Sequence, residues 1–524
     1  MFKLLEIEFI DHPFFKSLPI KFVGDNEEES KNYTTLIIGP NGTGKSQIFL
    51  AAISIFNSLS KLITSQNKTY TSPYEYILKY SINGKEHKVE YRNNELRIDG
   101  IYSRVNLEDL PSKVIISAFN FNDKYPLRKN RGKITDENYH YLGLKSTTNN
   151  IFIYNPQKDA IMNLYNAIIT EKDILPLKEA FLTLDLKPEL NLIYKPGKNF
   201  KFIQNNDYWM NKKLNPVEFG SAFTNYLKEK KRKPHNLELK KPLEIKKIEK
   251  VLSDKNKLDK LSSYLPEYIR IITELNQRKK IDVRKIVSDE KELSLQPKLD
   301  FDNRNTFNLF INQFELLQIL VDLEIVAFDR FDIKKQNTNF SFDDASSGEY
   351  HIIFTFINIL SVIKDNSLVM LDEPEISLHP NWQIKYMDIF NKIFKHFPNT
   401  HFLIASHSHF IVSDLKSKNS FILAIDVNKK GEIEIVQTPK NTYGWSAEQI
   451  LLDVFKVATT RNFYISTTIT DVLKEMSREQ PNFETIKSKL ESIVFLDTDD
   501  FNDHDPLLDI FKELKTFYNE INNA

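Results

Sequence analysis

The run Gly39–Ser46, with the sequence GPNGTGKS, has the residue types and spacing of a phosphate-binding loop. Its glycines allow backbone N–H groups to face phosphate oxygens, and the positive end of a following helix strengthens that attraction. Lys45 is predicted to bind the β- and γ-phosphates of ATP, and Ser46 to ligate Mg²⁺. The residues predicted to contact the nucleotide in this region are Asn41, Gly42, Thr43, Gly44, Lys45, Ser46 and Gln47.

Two adjacent carboxylates, Asp372 and Glu373, follow the apolar run Leu368–Leu371, which predicts a buried strand. Asp372 is predicted to hold Mg²⁺, directly or through water. Glu373 is predicted to orient or deprotonate the attacking water. A solvated pair of carboxylates at a strand end is the ordinary interpretation, but a phosphate loop earlier in the chain favours the functional one.

His407 follows another apolar run, Phe402–Ala405, in the sequence Ser-His-Ser. A neutral imidazole at this strand end is predicted to donate a hydrogen bond to the γ-phosphate and to sense its loss. A lone histidine would ordinarily be structural, and the strand order is what favours the functional interpretation. His409 is the weaker candidate for the same role.

The turn Ser346-Ser347-Gly348-Glu349 precedes a predicted helix and would form a second anion site from N–H groups and hydroxyls. An ordinary N-cap is the alternative, because the same residue types serve both purposes. One chain cannot easily present two phosphate sites to one γ-phosphate, whereas a two-fold dimer can exchange them. The turn therefore predicts a homodimer, or a higher even-numbered oligomer, joined through its ATP sites.

The elements that must position these residues predict an α/β fold of the P-loop NTPase type, with two ATPase lobes. Lobe I (1–125) combines buried strands, a helix from Lys45 to about Ile63, and antiparallel strands with a hairpin turn at Asn83-Gly84. A mostly helical insertion is predicted over 126–305. Lobe II follows over 306–440, and 441–524 is predicted to be helical, with Ser446 and Gln449 at capping-box spacing.

Composition is that of an ordinary globular protein of 524 residues, with 41% hydrophobic and 27% charged residues. Lys+Arg and Asp+Glu both number 71, so net charge indicates neither nucleic acid nor membrane as a partner. Cysteine is absent, which excludes disulfides and Cys-ligated metals. With no signal-peptide pattern and no apolar run near the ~20 residues of a membrane span, the predicted location is cytoplasmic.

The chain resembles the ABC-type ATPases of the soluble SMC/RecF-like group. This resemblance rests on the phosphate loop, the signature turn Ala345–Glu349, the Asp-Glu strand and His407. Asp372–Pro380 (DEPEISLHP) and Ile404–Ser408 (IASHS) are similar to ATPases of bacterial anti-phage systems and of overcoming-lysogenization-defect (OLD) proteins. The helical insertion and Tyr443–Leu451 (YGWSAEQIL) most resemble the Septu-type ATPases (PtuA) and their retron-associated relatives.

The resemblance implies a dimer closed around two ATP molecules. Lys45, Ser46, Asp372, Glu373 and His407 would act in cis, and Ser346, Ser347 and Gly348 would act in trans. Glu349 is also predicted to be among the nucleotide-binding residues. It also implies a task in anti-phage defence, in which nucleotide state controls a separately encoded effector of the nuclease kind.

The sequence departs from the family pattern at three places. Ala345 and Ser347 replace a leading Leu and a Gly in the signature turn. No Gln ends the predicted strand Lys113–Phe119, where such ATPases carry a Mg²⁺-contacting Gln, and Asn120 or Asn122 is the candidate replacement. His409 replaces the Pro that often follows the Thr-His-Ser of relatives.

Two alternative functions remain open on the sequence. The basic stretch 226–250 could bind nucleic-acid phosphates, as in a RecF- or SMC-like DNA-repair ATPase, although such a run is more often a solvated helix face. The strand-like Ile493–Asp500, with Asp497 and Asp499, resembles the D-x-D strand of a Toprim nuclease. No Glu-Gly strand precedes it, so a degenerate OLD-like nuclease is the third hypothesis.

Overall fold

The computed structural model divides the chain into two compact units, Met1–Asn441 and Thr442–Ala524. The residues that it describes are 1–24, 32–64, 70–100, 106–118, 120, 123–127, 138–143, 156–170, 174–204, 216–232, 248, 250–261, 298–303, 305–335, 347–415, 419–428, 430–436, 442–446, 449–451, 454, 463–476, 482–493 and 512–519.

The described strands, in chain order, are β1 Lys3–Phe9, β2 Pro19–Lys21, β3 Tyr33–Ile38, β4 Tyr76–Ile82, β5 Lys85–Arg92, β6 Glu95–Ile98, β7 Val114–Ala118, β8 Tyr139–Tyr141, β9 Glu189–Pro196, β10 Lys298–Asp300, β11 Val326–Asp332, β12 Leu368–Asp372, β13 His401–Ala405, β14 Ser420–Val427 and β15 Ile433–Val436. The described helices are α1 Lys45–Thr64, α2 Pro156–Ile169, α3 Leu175–Thr183, α4 Lys201–Gln204, α5 Pro216–Arg232, α6 Asn305–Asp322, α7 Ser347–Val362, α8 Pro380–Phe394, α9 His409–Ser413, α10 Phe463–Met476 and α11 Phe483–Glu491.

A seven-stranded sheet in the order β15-β14-β3-β13-β12-β7-β8 forms the centre of the first unit. Every neighbouring pair is parallel except the edge pair β14–β15. Strand β13 lies between β3, which leads into the phosphate loop, and β12, which ends in Asp372. Because parallel strands end at the same edge, the segments that follow β3, β12 and β13 meet there, as open α/β sheets require of a binding site.

A layer on each face buries this sheet, which explains why β3, β7, β12 and β13 are buried along their whole lengths. On one face, Leu403 and Ala405 share a core cluster with α1 and with a second, antiparallel sheet that includes β1 and β4. On the other face, Phe402 packs its ring against Phe390 and Phe394 of α8. The alternation of side chains along β13 therefore separates two cores.

The antiparallel sheet, ordered β2-β1-β4-β5-β6, covers α1 on the side away from the central sheet. Asn83 and Gly84 join β4 to β5 with φ of 52° and 79°, the left-handed values that a tight hairpin needs. The predicted hairpin is therefore confirmed. Helix α1 begins at Lys45, as predicted, and ends at Thr64.

Helix α1 is also long and apolar enough over Lys45–Ile63 to match a membrane span, although the sequence predicts none. Its buried residues, including Ile48, Ile53 and Phe56, belong to the core cluster between the two sheets. A core helix buried on both sides carries the same apolar content, so packing between the sheets accounts for this composition.

The segment 126–305, predicted to be mostly helical, contributes three strands among its described residues. β8 adds an outer strand to the central sheet, and β9 pairs with β10 and with the distant β11 in a separate three-stranded sheet. Leu190, Leu192 and Tyr194 are buried at every second position of β9, a period of two that the charged surroundings obscured. Helices α2 to α5 supply the predicted helical part.

The second unit is helical in its described part, as predicted. Helices α10 and α11 and residues 512–519 pack around Val472, Ile486 and Leu490. The Ser446 hydroxyl accepts a hydrogen bond from the Gln449 N–H at 3.2 Å, which confirms the predicted cap.

Candidate active site

The phosphate loop joins the end of β3 to the start of α1, and its backbone needs glycine. Gly44 has a φ of +91°, and a Cβ at this position would overlap the ring of Phe14. Gly39 likewise has no room for a Cβ, because the Ile425 carbonyl lies against it. A longer side chain at either position would therefore distort the loop.

Lys45 is buried beneath the loop. Its Nζ donates hydrogen bonds to the carbonyls of Gly39 at 2.8 Å and Pro40 at 3.0 Å. Burial lowers the pKa of Lys45 to about 8, although the carboxylates of Glu373, Asp372 and Glu375 act in the opposite direction. A buried ammonium whose described hydrogen bonds go to carbonyls is a strong site for an anion.

The other predicted loop residues lie around this ammonium. Asn41, Gly42 and Ser46 are exposed, while Thr43 is buried, with its hydroxyl donating to the Pro40 carbonyl at 2.9 Å. Gln47 lies in the first turn of α1, half-buried. The loop thus presents its exposed residues at the sheet edge where β12 and β13 also end.

Asp372 is the last residue of β12, and its carboxylate is buried at this edge. Tyr125 donates a hydrogen bond from its hydroxyl to Oδ2 at 2.6 Å, whereas Oδ1 has no hydrogen-bond partner among the described residues. Burial raises the pKa of Asp372, and the hydroxyls of Tyr125 and Ser46 act in the opposite direction. A buried carboxylate oxygen with no hydrogen-bond partner is an unmet demand for a proton or a cation.

Glu373 adopts a left-handed backbone conformation, with a φ of 52°. A non-glycine residue in this region stores strain, which is typical of functional positions. The Glu373 N–H donates to the Ala405 carbonyl at 2.9 Å, so the ends of β12 and β13 hold each other. This bond fixes the point from which the Glu373 side chain leaves the sheet.

Glu373 and His407 face each other across the two strand ends. Oε1 of Glu373 lies 3.5 Å from Nε2 of His407, close enough for electrostatic attraction but long for a hydrogen bond. The neighbouring imidazole lowers the pKa of Glu373, which keeps this carboxyl ionised. His409, the weaker candidate, begins α9 and packs against the Phe410 ring.

Glu375 supports His407 and was not identified from the sequence. Its Oε1 accepts a hydrogen bond from the His407 N–H at 2.5 Å, and burial raises its pKa. The signal that could have revealed it is the DEPE sequence, in which a second acidic residue follows the Asp-Glu pair.

Phe14 and Tyr125 are two further site residues that sequence reasoning missed. Phe14 lies between β1 and β2, well before the phosphate loop in the sequence, yet its ring packs against Gly44. Phe14 is 40% exposed. Tyr125 follows β7 and reaches Asp372. Neither residue belongs to a short motif, so only the folded chain brings them to the site.

The donors at this edge fit ATP and Mg²⁺. Mg²⁺ prefers hard oxygen ligands, and the unpartnered Oδ1 of Asp372 with the neighbouring hydroxyl of Ser46 supplies them. The phosphate loop, whose Gly44 has no room for a side chain beside Phe14, carries the Lys45 ammonium beneath it as a partner for phosphate.

The signature turn is described only from Ser347, and Ser346 lies outside the described residues. Ser347 begins α7, and Glu349 lies in its first turn. Gly348 is buried, and a Cβ there would lie 3.0 Å from the Ser377 carbonyl and 3.3 Å from Cα of Leu378. The start of α7 therefore packs against the segment that follows Glu373 in the same chain.

Several predicted features lie outside the described residues. Among them are Asn122, Asp497, Asp499 and most of 226–250, of which α5 includes the part up to Arg232. The Asn120 backbone carbonyl accepts a hydrogen bond from the Asp123 N–H. This backbone contact does not test the predicted role of the Asn120 side chain at Mg²⁺. In the described ranges, no cluster of three or more His, Asp or Glu side chains could hold a metal ion.

A phosphate loop after one strand, an Asp-Glu pair after another and a histidine after the strand between them define a P-loop ATPase of the ABC type. A family model described as an AAA ATPase domain matches residues 21–412, well over half of this chain. The chain belongs to this AAA ATPase domain family.

Two curated relatives come from bacterial defence systems. The Septu protein PtuA of Bacillus thuringiensis is 24% identical over 194 residues, 34% of this chain and 48% of the relative. The probable ATPase of retron Ec83 from Escherichia coli is 28% identical over 137 residues, 24% of this chain and 23% of the relative. The chain thus matches less than half the length of each, and it is an ATPase-family protein related to defence-system ATPases.

Solved structures that match this chain include SMC head domains. The head domain from Thermotoga maritima has 11% identity and a TM-score of 0.33, covering 83% of this chain and 99% of that one. The Pyrococcus furiosus head with an extended coiled coil, bound to the C-terminal domain of ScpA, has 12% identity and a TM-score of 0.30, with coverages of 83% and 96%. These TM-scores are too low to define the fold, which rests instead on the strand order of the central sheet.

Proposed function

We propose that this chain binds ATP with Mg²⁺ at the carboxyl edge of the central sheet and hydrolyses it. The observation that carries the proposal is the convergence of Lys45, Asp372, Glu373 and His407 on that edge, from three adjacent parallel strands. Chemically matched residues from three separate segments of the sequence meet there.

Each residue has one role in the proposed reaction. Lys45 binds the phosphates, and Ser46 and Asp372 hold Mg²⁺, which neutralises phosphate charge when bound. Glu373, kept ionised by His407, orients the attacking water and accepts its proton. His407 donates to the γ-phosphate and so distinguishes ATP from ADP.

Phe14 is proposed to stack on the nucleotide base. Its ring packs on the phosphate loop at Gly44 and retains an exposed surface. An exposed aromatic ring beside a phosphate site offers a flat apolar surface to a nucleotide base. The base stacks on this surface with its own flat face, without base-specific hydrogen bonds.

The ATP site is proposed to be completed by a second copy of the chain. In its own chain, the start of α7 packs against Ser377 and Leu378, downstream of Glu373. The N-terminal N–H groups of α7, with Ser346, Ser347 and Gly348, would bind the γ-phosphate held by the partner. A homodimer, or a higher even-numbered oligomer, follows from this exchange.

Mixing two inactive variants tests the exchange. Ser347→Arg should abolish hydrolysis and leave ATP binding by one subunit intact, whereas Lys45→Ala should abolish binding. A mixed dimer of the two retains one intact composite site, so part of the phosphate release should return.

The control mixes Ser347→Arg with the double variant Lys45→Ala/Ser347→Arg, which can form no intact composite site. Mixed dimers should be verified by native mass spectrometry. If verified dimers of the two single variants remain as inactive as the control, the shared site is wrong.

The cellular role is proposed to be regulation in anti-phage defence, in the cytoplasm. Its support is the similarity to PtuA and to the retron Ec83 ATPase. A separately encoded effector, a nuclease, would be held or released according to nucleotide state. The purified chain alone, with Mg²⁺ or Mn²⁺, should not cut DNA or tRNA; cutting that is lost in Asp497→Asn would contradict this role.

A further inference from the structure

The Tyr125 hydroxyl donates a hydrogen bond to the predicted Mg²⁺ ligand Asp372, and we propose that Tyr125 is a positioning residue for that metal. By binding Oδ2, it turns Oδ1 toward the cation. The inference rests on the proposed function and deepens it. It names Tyr125, which belongs to none of the sequence motifs, as a residue that sets the metal affinity.

The geometry at Asp372 is asymmetric. The Tyr125 hydroxyl donates to Oδ2 at 2.6 Å, a short bond to an ionised acceptor, while Oδ1 has no partner in the described part of the chain. Both side chains are buried, so water does not compete for this bond. One oxygen is therefore occupied by protein, and the other remains available to a ligand.

The backbone at Tyr125 is itself held in place on both sides along the chain. Its backbone N–H donates to Oδ1 of Asp123 at 3.1 Å, and Oδ2 of Asp123 accepts from the Tyr141 hydroxyl at 2.7 Å. The next residue, Pro126, accepts from the Tyr139 hydroxyl at 2.9 Å. Both clamping tyrosines belong to β8, the outermost strand of the central sheet.

These bonds form a connected chain from β8 to the metal site. Tyr141 binds Asp123, Asp123 binds the backbone of Tyr125, and Tyr125 binds Asp372. Groups that orient a metal ligand commonly change metal affinity about 10- to 100-fold when they are removed. The effect on affinity should decline with each step away from Asp372.

Three Tyr→Phe variants test this order, because each removes one hydroxyl and keeps the ring. Binding of a fluorescent ATP analogue is measured while free Mg²⁺ is titrated. Tyr125→Phe should require roughly 10-fold more Mg²⁺ for half-maximal effect. Tyr141→Phe and Tyr139→Phe, which each remove one contact next to Tyr125 and further from Asp372, should require smaller increases.

The same titration separates positioning from general damage. In EDTA, nucleotide affinity should be equal in all four proteins, because Tyr125 does not contact the phosphates in this scheme. An unchanged Mg²⁺ requirement in Tyr125→Phe would overturn the inference, as would an equal loss of affinity with and without Mg²⁺. Wild-type protein whose nucleotide binding never responds to Mg²⁺ would overturn the proposed function together with it.

Discussion

His401 and His407 lie at opposite ends of β13, and their surroundings differ completely. His401 is fully buried at the amino end, where its Nδ1 accepts from the Leu4 N–H at 3.0 Å and its Nε2 lies 2.8 Å from the Thr35 hydroxyl. His407 follows the carboxyl end, partly exposed and 3.5 Å from Glu373.

The two ends of the sheet therefore use one residue type in two ways. At the amino end, Thr35 donates its own proton to the Phe22 carbonyl, so Nε2–H of His401 must be a donor and Nδ1 an acceptor. This satisfied neutral ring joins three strands. At the carboxyl end, Oδ1 of Asp372 and Nε2 of His407 have no hydrogen-bond partner in the described part of the chain, and Glu373 is strained. We therefore expect stability to be concentrated at one end and reactivity at the other.

Glu373→Gln should cause the largest change at the reactive end. Loss of the carboxylate should reduce ATP turnover about 10²- to 10⁴-fold, because the amide cannot accept a proton from water. Nucleotide binding and the unfolding midpoint should be nearly unchanged. Turnover is measured by phosphate release, and a wild-type rate in this variant would remove Glu373 from the mechanism.

The histidine pair gives the second prediction. His401→Leu leaves the Leu4 N–H and the Thr35 hydroxyl without partners and should reduce the free energy of unfolding by roughly 2–5 kcal/mol. His407→Leu should instead reduce turnover and leave stability within about 0.5 kcal/mol of wild type. Urea unfolding and phosphate release are measured on both variants. Equal stability losses would contradict the proposed division between the two ends.

Phe14→Ala should have a smaller effect, confined to the base. Removal of the ring should weaken ATP binding by roughly 10-fold, which corresponds to about 1.4 kcal/mol of stacking. Competition by inorganic triphosphate, which lacks a base, should be unchanged. Equal weakening of both ligands would mean that Phe14 only supports the loop, and Phe14→Tyr should retain normal affinity.

Acidification should lower the free energy of unfolding through the buried histidines His401 and His351. Burial lowers the pKa of His401 to about 3 and that of His351 to about 4, whereas the unfolded chain titrates near 6.5. Between these values the unfolded state binds more protons, so stability should fall as pH falls below about 6.5.

Between pH 7.5 and 5.5, His401 should contribute a loss of about 1.4 kcal/mol, because the folded ring remains neutral. His401→Gln, which cannot titrate, should show a correspondingly smaller decrease in urea unfolding. Comparing the two proteins cancels the opposite contributions of Asp372 and Glu375, whose pKa values burial raises. An identical pH dependence in both would contradict the assignment.

The sequence predicts the position of the central motifs at strand ends because each motif is local. The phosphate loop, the Asp-Glu pair and His407 each follow an apolar run whose strand is buried on both faces, so residue type and position suffice. Tyr125 and Phe14 could not be predicted in this way, since their roles depend on contacts between residues far apart in the chain. Strand β9 was missed for a related reason. It lies in the predicted insertion, whereas its partner β11 lies in predicted lobe II.

ATP hydrolysis by the purified chain, compared between wild type and Lys45→Ala, tests the reactive edge most directly. Lys61→Ala, on the exposed part of the same helix, is the matched control. We predict Mg²⁺-dependent phosphate release from wild type and Lys61→Ala, and none above background from Lys45→Ala. Equal release from wild type and Lys45→Ala would show that ATP is hydrolysed elsewhere and would contradict the proposed site.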